Sequence, residues 1–400
     1  MNIDTLQTPC YILEEKLILE NYDSFKTALE KKFSKACIGI SVKTNSLPYL
    51  LQLIKKKGGY AEVVSHDEYE LAELCGFSGD RIIYNGPLKS KETFLRAAQN
   101  GAYINIETWQ EIEWLQLIPE SVQCEVGIRL NINISEISPD DGHPDDDSRF
   151  GFCYGNGEFT KAVQKISLLP NVELTGIHLH RTSATRSLNF YSNLARYAVM
   201  VINNCQLKLK YIDFGGGYYG IMPGKPTYDE YVSVISEQIN SLPYASSLTI
   251  IVEPGSALTA SCFSFLTSVV DTKIVDGTYF ITTDGSRNDV DPLFRKKDYI
   301  KDVIYRQSHT ETTARQVITG CTCLEFDRLF TLTNEKILSP GDKILYKRVG
   351  AYTMCLTPLF IRYTPKVYSI GGNEEVRLIR NQLTAEQYYG ISTMQPSVAN

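Results

Sequence analysis

The chain has 400 residues, 43% of them hydrophobic and 22% charged, and a formal net charge of -6. That length exceeds one comfortable core and predicts a large domain with a smaller companion, while the composition excludes long disordered stretches. The acidic balance points away from nucleic acid and from membrane surfaces as partners.

The opening "MNIDTLQTPCYILEE" lacks the basic start and apolar core of a signal peptide, and no later apolar run reaches membrane-span length. A cytoplasmic location is therefore expected, and the ten irregularly spaced cysteines are expected as reduced thiols, most of them in the core. Cys321 and Cys323 form a C-x-C, which signals neither redox nor zinc chemistry strongly. Within the opening, "TPCYILEEK" reads as a strand that joins a later β-rich region.

From residue 36 onward, short β-branched and aromatic runs alternate with helical patterns. Eight runs are counted: "ACIGISV", "YAEVVS", "RIIYNG", "AYINIE", "CEVGIRLNI", "LTGIHLH", "YIDFGG" and "LTIIVEPG". Between them, stretches such as "LPYLLQLIKKK" and "LNFYSNLARYAVMVI" repeat apolar residues at three- and four-residue spacing. The fold class is α/β. Eight βα units fit a (β/α)8 TIM-type barrel over residues 25–265. A doubly wound sheet also alternates, but it carries a phosphate fingerprint after its first strand, which does not occur here. The acidic "SPDDGHPDDDS" after the fifth run reads as a solvated loop in preference to a metal site. Beyond residue 265 the texture becomes strands and turns, so residues 266–400, with 1–24, are expected as a β-rich barrel or sandwich domain.

In such a barrel, catalytic side chains stand at the C-terminal ends of the strands. Lys43 ends the first run, Glu62 and Glu68 flank the end of the second, and Arg129 lies near the end of the fifth. A lysine after a strand is ordinarily solvated, but at a barrel mouth partial desolvation favours Schiff-base chemistry with an aldehyde. "DFGGGYYG" puts Gly215, Gly216 and Gly217 directly after a strand, either as a turn that only glycine makes or as a cradle of amides for a phosphate. His178 and His180 alternate onto one side of their strand, open to a metal pair lacking an evident third ligand or to stacking on a flat cofactor. Glu253, at the end of the eighth run, is either a structural carboxylate or the partner of a protonated ring nitrogen.

Together "SVKTNS", "YAEVVSHDE", "YNGPLKS", "GIHLHRTS", "DFGGGYYG", "EPG", "GCTCLEFDRLF" and "GAYTM" resemble fold-type III pyridoxal-phosphate decarboxylases, the diaminopimelate and ornithine decarboxylase family, from "TPCYILEE" to about residue 365. The resemblance implies pyridoxal 5'-phosphate held by Lys43, stacked on by His180, and bound at its phosphate by Ser183, Gly215 to Gly217 and Tyr352. It places Glu253 against the pyridine nitrogen, and makes Cys323 the acid cysteine and Asp327 a nearby aspartate, both supplied across a homodimer interface. No metal is implied. Because family racemases of this barrel type put an arginine opposite the ring nitrogen, Glu253 favours decarboxylation over racemisation or epimerisation. Retention of the whole reactive set argues against a silent regulatory homologue.

Three departures bear on an amino-acid substrate. "EPGR" of the family is "EPGS", with Ser256; the residue after the acid cysteine is Leu324 where an acid usually receives the distal amine; and Asp291 stands where diaminopimelate decarboxylases have an arginine. A distal ammonium without a counter-charge is expensive to bury. The expected substrate is therefore a modified or conjugated amino acid rather than lysine, ornithine or diaminopimelate, with meso-diaminopimelate or another diamino acid as the alternative if Asp291 or Glu325 restores the charge. In "HRTS", Arg181 replaces a small apolar residue and is expected to restore the positive charge lost at Ser256.

Overall fold

The computed structural model describes residues 3–142, 147–306 and 310–393. His143, Pro144, Asp145 and Asp146 of the acidic stretch, on which the metal alternative depends, lie outside the described residues. Two compact units are present, Leu19–Leu258 and a second made of Met1–Ile18 with Thr259–Asn400.

The first strand, β1 (Cys10–Glu14), belongs to the second unit. The first unit is a closed barrel of eight parallel strands: β2 (Lys35–Ser41), β3 (Tyr60–Ser65), β4 (Ile82–Leu88), β5 (Tyr103–Ile106), β6 (Cys124–Arg129), β7 (Val172–His178), β8 (Tyr211–Asp213) and β9 (Thr249–Val252). These are the eight runs read from the sequence. Closure is made by β2 against β9, with Lys35 opposite Thr249. Strands of a parallel barrel are covered on both faces, which is why the runs are nearly continuous in apolar residues.

Serine or threonine ends several of the turns that lead from strand to helix. Ser65, Ser90, Thr108 and Ser187 each accept from a backbone N–H of the next helix, and Thr227 forms a reciprocal capping box with Glu230. Each such cap contributes about 1 kcal/mol and fixes where the loop stops and the helix starts.

Inside the barrel, Cys37, Ile83, Tyr211 and Ile251 pack together, flanked by Tyr60 and Tyr103. The Tyr211 ring needs two glycines. A Cβ at Gly176 would stand 2.0 Å from the ring, and one at Gly127 2.1 Å from its hydroxyl. At that hydroxyl the apolar filling gives way to polar groups.

In the second unit, β1 lies between β10 (Phe263–Val275), to which it is antiparallel, and Lys366–Ile370, to which it is parallel; Cys10 faces Leu266 on one side and Lys366 on the other. The strand expected from "TPCYILEEK" thus sits inside a nine-stranded sheet. That sheet continues from β10 to β11 (Thr278–Thr283) and, on another branch, to Lys343–Lys347. Leu6, Cys10, Ile12, Leu266, Leu345 and Ile370 form a core cluster in this unit.

Candidate active site

Lys43 stands in a short turn just past β2, its ammonium 2.6 Å from Glu62 Oε2 and 2.8 Å from Oε1. Glu62 points inward from β3 and its side chain is fully buried. Its carboxylate also accepts from Ser41 Oγ and, at 3.2 Å, from Asn85 Nδ2. Glu68 sits one turn further on, accepting from the Val64 N–H, and burial raises its carboxyl to about 6. The lysine is only about a third exposed and is held by a buried carboxylate, which is the pocketed arrangement rather than the solvated one.

Asn85 is the hub of this site. From β4 its Nδ2 donates 2.6 Å to Glu253 Oε1 as well as to Glu62. Its Oδ1 accepts from Asn105 Nδ2 at 2.8 Å, and Asn105 Oδ1 accepts from the Tyr211 hydroxyl at 2.9 Å. A continuous polar chain therefore crosses the barrel from Tyr211 to Lys43. Neither asparagine stands out in the sequence, because the contacts join strands rather than neighbours along one strand.

Glu253 lies just beyond β9, buried, with its Oε2 3.6 Å from His178 Nε2. Burial, then the charge of Glu253, pushes the Asp213 carboxyl well above the usual range. His178, Asp213 and Glu253 bring ligand atoms within 4.8 Å of one another. His180 is not part of this group, so the two histidines do not form a metal pair with a shared third ligand.

His180 is parallel to His178, with the planes 6° apart and the centroids at 6.4 Å. Burial first, and Arg129 second, push its ring down to about 3, so it is neutral across the working pH range. The Gly216 N–H donates to its Nδ1 at 3.1 Å, which leaves the proton on Nε2.

The glycine turn makes close approaches that only glycine permits. Gly215, at φ 59°, passes so close to His180 that a Cβ would meet the imidazole at 2.7 Å, and a Cβ on Gly216 would stand 2.5 Å from the Glu253 carbonyl. The expected cradle of three amides is narrower, however: Gly215 N–H is taken by Asp213 and Gly216 N–H by His180. Of the three amides expected to cradle a phosphate, those of Gly215 and Gly216 are thus engaged within the protein. Ser183 is buried nearby in sequence, its Oγ accepting from Arg186 N–H at 2.8 Å.

Arg129, at the end of β6, is ion-paired with buried Glu107 at 2.9 Å and donates to the His180 carbonyl at 3.3 Å. Lys43, Glu62, Arg129, His180, Arg181 and Glu253 all border one cavity of about 270 Å³. Ser256 is half-buried in the short helix Gly255–Thr259 and is not among the residues bordering it.

The remaining expected residues belong to the β-rich unit. Cys323 is exposed on a loop, with Leu324 half-buried and Glu325 exposed beside it. Asp327, expected to meet the substrate, is buried, and its oxygens accept from Ser286 Oγ, Arg287 N–H, and the N–H and hydroxyl of Thr322. Its carboxylate is engaged in shaping the Cys323 loop. Asp291 is likewise buried, bound to Arg287 at 2.9 Å and to the amides of Arg295 and Lys296. Tyr352 is 44% exposed, in a turn at φ 55°.

A primary amine in a pocket, a flat neutral imidazole and a buried carboxylate form a donor set that fits pyridoxal phosphate. A family model described as the pyridoxal binding domain of pyridoxal-dependent decarboxylases matches residues 16–260. The chain belongs to this family. It is a fold-type III, pyridoxal-phosphate-dependent amino-acid decarboxylase. A diaminopimelate decarboxylase of Pseudomonas fluorescens is 26% identical over 97% of this chain and 93% of its own. Among solved structures, diaminopimelate decarboxylase of M. jannaschii with L-lysine superposes with a TM-score of 0.85 at 21% identity, covering 99% of this chain and 94% of that one. The arginine decarboxylase of Paramecium bursaria Chlorella virus, bound to agmatine, gives 0.76 at 21% identity, covering 91% and 98%. No helix among the described residues is long and apolar enough to cross a membrane.

Proposed function

We propose that this decarboxylase acts on a modified or conjugated amino acid rather than on lysine, ornithine or diaminopimelate. One observation carries the reading: next to Cys323, the position of the usual acid is Leu324, Glu325 beyond it points to solvent beside Arg328, and Asp327 and Asp291 are buried and bound to their own unit. A distal ammonium would meet none of these, and leaving it unpaired costs several kcal/mol if fully desolvated, on the order of 2–7.

Bound pyridoxal phosphate supplies the sink for the electron pair left when CO2 departs. Lys43 holds the group through its amine, and Glu62 orients that amine. Glu253 would face the ring nitrogen, and Asn85, donating to it at 2.6 Å, fixes the carboxylate's direction. With the cofactor bound, His180 would stack on its ring, and Ser183, the Gly217 amide and Tyr352 would hold its phosphate. Cys323 returns a proton to the α-carbon as a positioned acid. In this reading Cys323 comes from a second copy of the chain. Exposed Leu293 and Phe326, the latter edge-on to Phe294 at 5.5 Å, give its unit an apolar surface suited to such a homodimer.

Diaminopimelate is the rival, since relatives carry that name and three solved structures hold L-lysine. Purified enzyme loaded with cofactor, offered meso-diaminopimelate, lysine, ornithine and a panel of acidic and carboxylate-conjugated amino acids, should release CO2 from the last group and lose that activity in Lys43→Ala. Efficient turnover of meso-diaminopimelate sinks the reading.

A further inference from the structure

Arg186 stands in the loop between β7 and the helix Leu188–Asn204, at φ 54°. That left-handed backbone costs free energy for any residue with a Cβ and is the natural place for glycine or asparagine, so an arginine kept there points to a use for its side chain. Its two neighbours hold the conformation, since Thr185 and Ser187 both donate their hydroxyls to Asp141 Oδ1. The loop is also tied to the residues expected at the phosphate. Arg186 N–H donates to Ser183 Oγ at 2.8 Å, and the Arg186 carbonyl accepts from the Tyr231 hydroxyl at 2.7 Å. The same hydroxyl accepts from the N–H of Tyr219, two residues past Gly217, at 3.4 Å. Over the Tyr219 ring lie two cations, the Arg186 guanidinium at 5.2 Å and the Lys225 ammonium at 4.9 Å. The ring attracts each of them, but two like charges gathered on one ring repel, and an anion brought beside them relieves that repulsion. Arginine's planar fork suits a phosphate.

We propose that Arg186, seconded by Lys225, supplies the positive charge that holds the phosphate of the cofactor. This moves to Arg186 the compensation for Ser256 that the sequence suggests for Arg181. It rests on the reading that Ser183 and the glycine turn face the phosphate.

Full-length apoenzyme is titrated with pyridoxal 5'-phosphate and with pyridoxal, which lacks the phosphate, and the ratio of the two affinities is read by absorbance. No substrate is present, so a substrate carboxylate cannot account for the result. Arg186→Gly removes the cation and relieves the backbone in one step, so the thermal midpoint of the apoenzyme should hold or rise. The expected result is a phosphate preference about tenfold smaller, the size of one lost charge-assisted contact, with pyridoxal affinity unchanged. Arg186→Lys keeps part of the preference, and adding Lys225→Ala to Arg186→Gly deepens the loss. An unchanged preference in Arg186→Gly, or equal losses for the two compounds, overturns the proposal. Ser183→Ala keeps the underlying reading separate. If it lowers the preference while Arg186→Gly does not, only the part given to the arginine falls; if neither lowers it, the reading of the phosphate site falls as well.

Discussion

In the barrel, each reactive group comes from a different strand end, and the groups are buried against one another: Lys43 on Glu62, Asn85 between Glu62 and Glu253, His180 against the glycine turn. In the β-rich unit, the expected residues divide differently. Asp327 and Asp291 are sealed by their own neighbours, while Cys323 on the same stretch of loop is exposed. A closed parallel sheet preassembles a site by register, because its pleats aim side chains from many strands at one place. A loop has no such register, so buried carboxylates must hold its shape, and the proposed acid, Cys323, is the group that does not hold it. On the proposed mechanism, stability and reactivity therefore overlap in the barrel and separate in the loop.

The sharpest check on that contrast is Cys323→Ala. It should lower kcat by roughly 10²–10⁴ as the acid is lost, with the thermal midpoint unmoved because the thiol is exposed. A large drop in midpoint would break the separation. Asp327→Ala should do the reverse, costing about 3 kcal/mol as four donors lose their acceptor, read by denaturant unfolding. In the barrel, Asn85→Ala should lower both quantities at once. It removes a donor from two buried carboxylates, with an expected stability loss of about 2 kcal/mol and weaker cofactor retention by absorbance. A variant that loses activity alone would show the barrel to be as divided as the loop.

A further effect is on pH. A histidine in the unfolded chain takes its proton near 6.5, but folded His180 does so only near 3. Between those values the unfolded chain binds more protons, so stability present above pH 6.5 is lost as the pH falls toward 3. Glu68 acts in the opposite sense between 4.5 and about 6, where the folded state holds the extra proton. His180→Gln should therefore flatten the acid limb of a stability profile, and an unchanged limb would contradict the buried neutral imidazole.

The eight strands were legible because a strand covered on both faces writes a continuous apolar run, and Lys43, His180 and Glu253 were legible because charge at the end of such a run is unusual. Asn85 and Asn105 were not, since their meaning lies in pairings across strands that leave no local period. The same holds for Asp213 beside Glu253, and for Glu107 under Arg129. Asp327 was legible as a residue but not as a role, because two of the four donors that claim it come from Ser286 and Arg287, some forty residues earlier in the chain.

The space that Gly127 and Gly176 leave for Tyr211 ties three positions on three strands into one evolutionary unit. Drift at any one is vetoed by the other two: alanine at 176 is barred while the ring is present, and a smaller side chain at 211 opens a void that both glycines are then free to fill. Related chains should change these positions together, large against small, and a phenylalanine at 211 is the one step open to a single mutation, since it keeps the ring and surrenders only the link to Asn105.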